Sequence, residues 1–231
     1  MPFGFFDRTF LLVLPALFFA LWAQWKAQHT YQQYSRIRAA NGLTGRQMAQ
    51  AIMVRNGVND VAIEEVGGVL SDHYDPRAKV VRLSSSNFHD PSIASIAVGA
   101  HEVGHVLQHA QGYAPLAIRS AIAPVAGFGS MLAFPLFFIG AFFGGHMART
   151  FMDLGILLFT GAVVFQVVTL PVEFDASKRA LAQLTESGAL APQEVAGAKK
   201  VLDAAALTYV AAAAMAAVQL LRLLLIRNSR R

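Results

Sequence analysis

The chain has 231 residues, of which 55% are hydrophobic, 14% are charged and none is cysteine. Soluble domains usually carry about 25% charged residues, so this composition predicts a membrane protein. Without cysteine, disulfides, thiolate zinc sites and thiol nucleophiles are excluded, and any metal ion must be bound by histidine and carboxylate side chains. The net charge of +5 comes from scattered basic residues, which favours membrane-flanking charge over nucleic-acid binding.

Four apolar segments are long enough to cross a bilayer as helices. The first, residues 9–25, is predicted to be a retained anchor rather than a secretory signal, with Trp22 and Trp25 in an interfacial position at its end. The other three are uncharged intervals at residues 120–148, 154–172 and 204–221. The last is rich in alanine and has an alternative interpretation as a buried helix of a soluble bundle.

The polar region between the first two segments contains signals for helices and strands. Thr44 is predicted to cap a helix that ends at residues 56–57, and Asp90-Pro91 to start a second helix that runs to about residues 111–112. Short strands at residues 61–63 and 80–83 predict a small antiparallel sheet. The strand at residues 80–83 is either an edge that pairs with an extended substrate or an interior strand.

The second of these helices contains the sequence His101-Glu102-Val103-Gly104-His105. Residues four apart on a helix lie about 6 Å apart on one face, so both imidazoles can converge on one cation with Glu102 at the flank as a base. The alternative is that the histidines only line a buried helix face. Two histidines and a glutamate would be costly in such an apolar stretch without partners, which favours the metal site.

A catalytic zinc ion needs a third protein ligand and an open position for water. Two carboxylates, Glu173 and Asp175, follow the third apolar segment and compete for this role. In the alternative interpretation, both simply pair with Lys178 and Arg179 in a solvated first helical turn. Pro171 suits a kink or a helix start just before them.

Several segments resemble one family of bacterial membrane proteins. HEVGHVLQH at residues 101–109, GYAPL at 112–116 and VEFDAS at 172–177 resemble the YugP-like neutral zinc metallopeptidases, as do DHYDP at 72–76 and GLTG at 42–45. The layout is similar to that of the membrane gluzincins, such as the heat-shock protease HtpX and the prenyl-protein proteases. In those proteins two membrane helices separate the His-Glu-x-x-His helix from a glutamate ligand.

The resemblance implies a membrane-anchored zinc metalloendopeptidase. One Zn²⁺ ion would be bound by His101, His105 and Glu173, and Glu102 would be the general base. Ser177 stands where the larger relatives commonly have Asp, and it could still contribute a hydrogen bond to a ligand histidine.

Other side chains near the motif have less specific predictions. Tyr74 or His73 is expected to face the developing oxyanion, the alternative being ordinary turn residues. His109, one helical turn beyond His105, is expected to lie outside the ligand set.

The expected architecture is an α-rich membrane protein of the α+β class. It combines about four transmembrane helices with a small zincin-like domain that has a short antiparallel sheet and the His-Glu-x-x-His helix. The expected order is an N-terminal anchor at residues 1–25, a catalytic region at 26–119, two transmembrane helices at 120–172, a helical segment with the third ligand at 173–203, and a last transmembrane helix with a basic tail at 204–231.

With four spans, both polar regions lie on one side of the membrane. More basic residues flank the spans on that side, which predicts a cytoplasmic active site in the bacterial inner membrane. They are Lys26, Arg36, Arg38, Arg119, Lys178, Arg179, Lys199 and Lys200, against Arg8, Arg149, Arg227, Arg230 and Arg231 opposite.

The expected partners are the lipid bilayer and a peptide or protein substrate, without nucleic acid. Two alternatives remain: a non-catalytic zinc-binding membrane scaffold and an intramembrane-cleaving metalloprotease. The second is disfavoured because the motif helix is flanked by too many polar residues to be a span.

Overall fold

A computed structural model describes residues 8–68, 71–142 and 146–229. The first seven residues of the predicted anchor and the last two of the predicted basic tail lie outside the described residues. The chain forms two compact units. One unit comprises residues 24–116 and 171–207, and the other comprises residues 8–23, 117–170 and 208–229 of the described chain.

Seven α-helices and three short strands follow one another along the described residues, after a 3₁₀ turn at Arg8–Leu12. In chain order they are α1 (Val13–Ser35), α2 (Gly45–Arg55), β1 (Ala62–Val66), β2 (His73–Asp75), β3 (Val80–Ser84), α3 (Ser85–His89), α4 (Ile93–Ala110), α5 (Ala114–Phe142), α6 (His146–Glu186) and α7 (Pro192–Asn228).

Four of the described helices are long and apolar enough to cross a membrane, and they confirm the α-rich membrane protein expected from the sequence. The candidate spans are Thr9–Ser35, Ala114–Phe142, Met147–Glu186 and Pro192–Asn228. They expose many large apolar side chains, Phe128 and Leu157 among them, as helices that face lipid do.

The last two spans are much longer than a bilayer requires. At 1.5 Å per residue, α6 is about 60 Å long and α7 about 55 Å, roughly twice the thickness of the hydrocarbon layer. Each therefore extends beyond its apolar interval. The polar segment at residues 173–203 consists of the end of α6, a short connection and the start of α7. Pro171 was predicted to mark either a kink or a helix start; it lies inside α6, so the helix start is wrong.

The sheet is mixed rather than antiparallel. Its strand order is β1-β3-β2, with β1 parallel to β3 and β2 antiparallel to β3. The two strands recognised in the sequence are thus parallel neighbours, because the chain returns through the three-residue strand β2, which sequence patterning does not reveal. Since β3 is the central strand, edge pairing of a substrate with residues 80–83 is wrong and the interior alternative is correct.

Local capping explains where α2 and α4 begin. Thr44 caps α2 through a reciprocal capping box with Gln47, as expected, and α2 ends at Arg55 with Asn56 as its C-cap, next to the expected end at residues 56–57. The expected Asp90 cap of α4 was wrong, because Asp90 closes α3 instead. The Ser92 hydroxyl accepts a hydrogen bond of 3.1 Å from the backbone N–H of Ser95 and thereby caps α4.

Glycines allow α2 and α4 to pack backbone to backbone. A Cβ atom on Gly99 would lie 2.5 Å from the carbonyl oxygen of Gly45, and one on Gly45 would lie 2.4 Å from that of Ser95. Buried apolar side chains from both helices surround this contact, with Met48, Ile52 and Ile96 among the largest. The packing gives the histidine-bearing helix a rigid support within its unit.

Candidate metal centre

The two histidines of α4 face the same side of the helix, one turn apart. Their ring centroids are 4.9 Å apart and the rings are nearly perpendicular. The side chain of His101 is 15% exposed and that of His105 is 9% exposed. This is the geometry that a four-residue spacing on a helix predicts.

The carboxylate of Glu173, carried by α6, lies against both imidazoles. Its Oε2 atom is 3.2 Å from Nε2 of His101 and 3.6 Å from Nε2 of His105. The Glu173 side chain is only 3% exposed. In the part of the chain that the structure describes, these three residues form the one group of histidine and acidic side chains close enough to hold a metal ion.

The two distances from Glu173 to the histidine nitrogens fit zinc. Tetrahedral zinc bonds of 2.0–2.1 Å place two nitrogen or oxygen ligands about 3.3 Å apart. The separations of Glu173 Oε2 from the two histidine nitrogens lie on either side of that value. Two imidazoles and one carboxylate are a recurrent ligand set of catalytic zinc, and they leave a fourth position open for water or substrate.

A close backbone contact between α4 and α6 brings Glu173 within reach of the histidines. A Cβ atom on Gly104 would lie 2.4 Å from the carbonyl oxygen of Ala176, nearer than real Cβ atoms approach. Only glycine fits at this point without displacing one of the helices. The fourth residue of the motif therefore has a packing role between the helices that carry the cluster.

The competing carboxylate, Asp175, points to different partners. Its Oδ2 atom accepts hydrogen bonds from Nε2 of Gln108 and from Nε of Arg179. Of the two carboxylates that the sequence left open, Glu173 is the one that lies beside both imidazoles. The alternative, in which both carboxylates pair with Lys178 and Arg179, is thus correct for Asp175, which forms an ion pair with Arg179.

Ser177 lies where the resemblance expected a partner for a histidine. Its Oγ atom is 3.2 Å from Nδ1 of His101, on the side of the ring away from Glu173. His105 has a different partner, since its Nδ1 atom is 3.0 Å from Oε1 of Gln108. Gln108 was not among the predicted site residues, although it follows His105 by three positions and so shares its helix face.

Glu102, the expected base, is buried with 7% of its surface exposed. Burial raises the pKa of Glu102, and the nearby histidines oppose that rise only in part. Burial also disfavours the charged form of His105, but the hydrogen bond to Glu173 and the charge of Glu102 outweigh it and raise the pKa of His105. The charges of Glu102, His105 and Glu173 therefore affect one another strongly, because little water reaches the cluster to screen them.

Tyr74 and His73, the two candidates for oxyanion stabilisation, form their hydrogen bonds with residues outside the cluster of His101, His105 and Glu173. The Tyr74 hydroxyl lies 2.8 Å from Nδ1 of His109, and His73 contacts the Ser71 carbonyl and Arg82. Burial, with Asp60 and Asp75 nearby, raises the pKa of Tyr74 to about 12. Tyr74 and His109 line a cavity of about 380 Å³.

Comparison with known proteins identifies the family. A family described as "Putative neutral zinc metallopeptidase" matches residues 9–228, nearly the whole chain. The chain belongs to this family. Membership confirms the resemblance found in the motifs of the sequence.

One relative in this zinc metallopeptidase family is similar over almost its full length. The "Putative membrane protease YugP" of Bacillus subtilis (strain 168) is 46% identical over 215 residues, which cover 93% of this chain and 94% of the relative. No solved structure matches the chain.

Proposed function

We propose that the protein is a membrane-anchored zinc metalloendopeptidase with one Zn²⁺ ion bound by His101, His105 and Glu173. The observation that carries this proposal is the position of Glu173 Oε2, within 3.6 Å of Nε2 of both histidines. The membership of a zinc metallopeptidase family and the 46% identity to a membrane protease support it.

Bound zinc would lower the pKa of a water molecule toward 7 and polarise the scissile carbonyl group. Glu102 lies on the same helix, between the two ligand histidines, and its raised pKa makes it a stronger proton acceptor than an exposed glutamate. In the proposed reaction Glu102 accepts a proton from the attacking water and donates it to the leaving amine. Peptide hydrolysis then proceeds without a covalent bond between enzyme and substrate.

The developing oxyanion requires a hydrogen-bond donor, and Tyr74 or His73 remains the proposed one. With a pKa near 12, Tyr74 keeps its phenolic proton at neutral pH and so can donate. In the present arrangement its hydroxyl pairs with His109. To stabilise the oxyanion, the Tyr74 hydroxyl would therefore have to give up its hydrogen bond to His109 and donate to the substrate instead.

The proposed location is the bacterial inner membrane, with the active site on the cytoplasmic side. The excess of basic residues near the span ends on that side supports this orientation. The proposed substrate is a peptide or protein. A site that begins one residue after the apolar interval at 154–172 favours substrates that lie at the membrane surface.

The two alternatives make different demands on the structure. An intramembrane-cleaving protease needs its motif helix inside the bilayer, but α4 is not among the candidate spans of the described chain. A non-catalytic zinc scaffold would have the same ligands but would not depend on Glu102. Peptide cleavage by the wild type that is lost on removal of Glu102 therefore separates the enzyme from the scaffold.

The decisive experiment compares wild-type protein with Glu102→Gln, both purified in detergent and tested on a peptide library. We expect about one zinc ion per chain in both proteins and a loss of cleavage of at least about 100-fold in Glu102→Gln, because proton transfer is removed while the ligands remain. Glu186→Gln, the same change at an exposed position on α6, should behave as wild type. Unchanged cleavage by Glu102→Gln would contradict the assignment of the base, and wild-type protein without zinc would contradict the site.

A further inference from the structure

The side chain of Gln108 is fully buried and makes three hydrogen bonds, and the partners determine which end of the amide faces which way. Its Nε2 atom donates to the Val172 carbonyl at 2.8 Å and to Oδ2 of Asp175 at 2.8 Å. Both partners are acceptors only, so the NH₂ end of the amide must face them. The opposite end, Oε1, consequently faces His105.

This orientation determines which nitrogen of His105 carries a proton. An amide oxygen only accepts, so Nδ1 of His105 must donate across the 3.0 Å contact. The lone pair that a metal ion needs is then left on Nε2, the atom that faces Glu173. His101 is less constrained, since the Ser177 hydroxyl at its Nδ1 can either donate or accept.

Asp175 is itself held in place by a cation. Arg179, four residues along α6, donates from Nε to Asp175 and from Nη1 to Oε1 of Gln111 on the α4 side. The guanidinium group also lies 5.6 Å from the ring centroid of Tyr113. The charge-assisted bond to Asp175 gives Gln108 a stronger and more directional anchor than a neutral acceptor would.

We propose that Gln108 and Asp175 act as a positioning pair for the metal centre. The pair holds His105 as the tautomer with a proton on Nδ1, and it aims Nε2 at the ion. Asp175 acts through Gln108 and not as a ligand, which gives a role to the carboxylate that competed with Glu173 in the sequence. The inference rests on the proposed zinc site, and its readouts do not depend on peptide hydrolysis.

The test uses Gln108→Met, Asp175→Asn and the double variant, each purified as the full chain. Methionine keeps the length of glutamine but neither accepts from His105 nor donates to Asp175. Gln183→Met makes the same change on α6 and serves as the matched control, because the only described hydrogen-bond partner of the Gln183 side chain is Asn56. Zinc affinity is measured by competition with a chelator, and the Nδ1–H resonances of the zinc-loaded proteins by nitrogen-15 NMR of labelled histidine rings.

We expect Gln108→Met to weaken zinc binding by about 10- to 100-fold and to convert the His105 Nδ1–H resonance from slow to fast exchange with water. Asp175→Asn should weaken binding by a smaller factor. The double variant should bind zinc no more weakly than Gln108→Met, because two residues that act through one link are not additive. Gln183→Met should match wild type in both measurements.

The proposal is overturned if Gln108→Met binds zinc within about twofold of wild type. It is also overturned if the two single losses multiply in the double variant, since Asp175 would then act independently of Gln108. Should Gln108→Met fail to fold, the partly exposed Asp175→Asn tests the same link by affinity and exchange, and wild-type values there overturn it. A wild type that binds zinc but cleaves nothing ends the proposed peptidase function and leaves these comparisons decisive for the pair.

Discussion

Four ionisable side chains lie together at the candidate site with little exposure to water: His101, Glu102, His105 and Glu173. Burying charges away from water is costly unless they are paired, and a cation that binds several of them offsets that cost. Metal binding at such a site contributes to folding, because the ligands are brought together only in the native state. If these residues bind zinc as proposed, the zinc-loaded protein should therefore be more stable than the zinc-free protein.

Replacement of the proposed carboxylate ligand tests the link between zinc binding and stability at the scale of one residue. Glu173→Gln keeps the volume but removes the anionic oxygen, so zinc binding should fall well below that of Asp175→Asn. We expect zinc to raise the thermal unfolding midpoint of wild-type protein and to leave that of Glu173→Gln nearly unchanged. Glu186→Gln, on the same helix, is the control. An unaltered response to zinc in Glu173→Gln would exclude this glutamate as a ligand.

At the scale of helices, the site depends on how closely α4 and α6 approach. The contact between Gly104 and the backbone of Ala176 places two side chains of α6, Glu173 and Ser177, beside the histidines of α4. Glu173 and Ser177 are four residues apart, so they project from one face of α6 on either side of the Ala176 contact. The contact at Gly104 therefore determines how far both Glu173 and Ser177 lie from the histidines of α4.

Gly104→Ala should push the two helices apart. The added Cβ atom would lie 2.4 Å from the Ala176 oxygen. We expect a loss of about 1–3 kcal/mol in the free energy of unfolding and weaker zinc binding, although all three proposed ligands remain. Gly161→Ala is the matched control on α6, because a Cβ atom there meets nothing within 4 Å. Zinc affinity equal to wild type in Gly104→Ala would show that the approach of the helices does not determine the site.

Elements with local signals could be predicted from the sequence, and those that depend on distant partners could not. The capping box of Thr44 and Gln47 involves neighbours along the chain, so the start of α2 was predictable. Asp90-Pro91 has the composition of a helix N-cap. Which side chain accepts the hydrogen bond from the first turn of α4 nevertheless depends on where α3 ends, and Asp90 belongs to that end. The partner of Gln108 lies 67 residues away, and no local pattern indicates it.

At the scale of the whole molecule, the four candidate spans predict that the polar regions at residues 26–119 and 173–203 lie on one side of the membrane. Because the chain lacks cysteine, single cysteines can report this topology against a silent background. We expect Asn59→Cys and Gln193→Cys, both exposed, to react with the same side-restricted maleimide, and Thr150→Cys to react only from the other side. Labelling of Asn59→Cys and Gln193→Cys from opposite faces would contradict the four-span arrangement.

Glu173 follows His101 by 72 positions, and this separation has a consequence for biosynthesis. A ribosome completes the His-Glu-x-x-His helix long before it has made the glutamate, and two hydrophobic helices must be synthesised in between. A nascent chain, or a fragment cut off ahead of α6, would hold the metal with two imidazoles at most. Under the proposed function, the complete ligand set and hence peptidase activity would arise only after the third candidate span, in α6, has been synthesised.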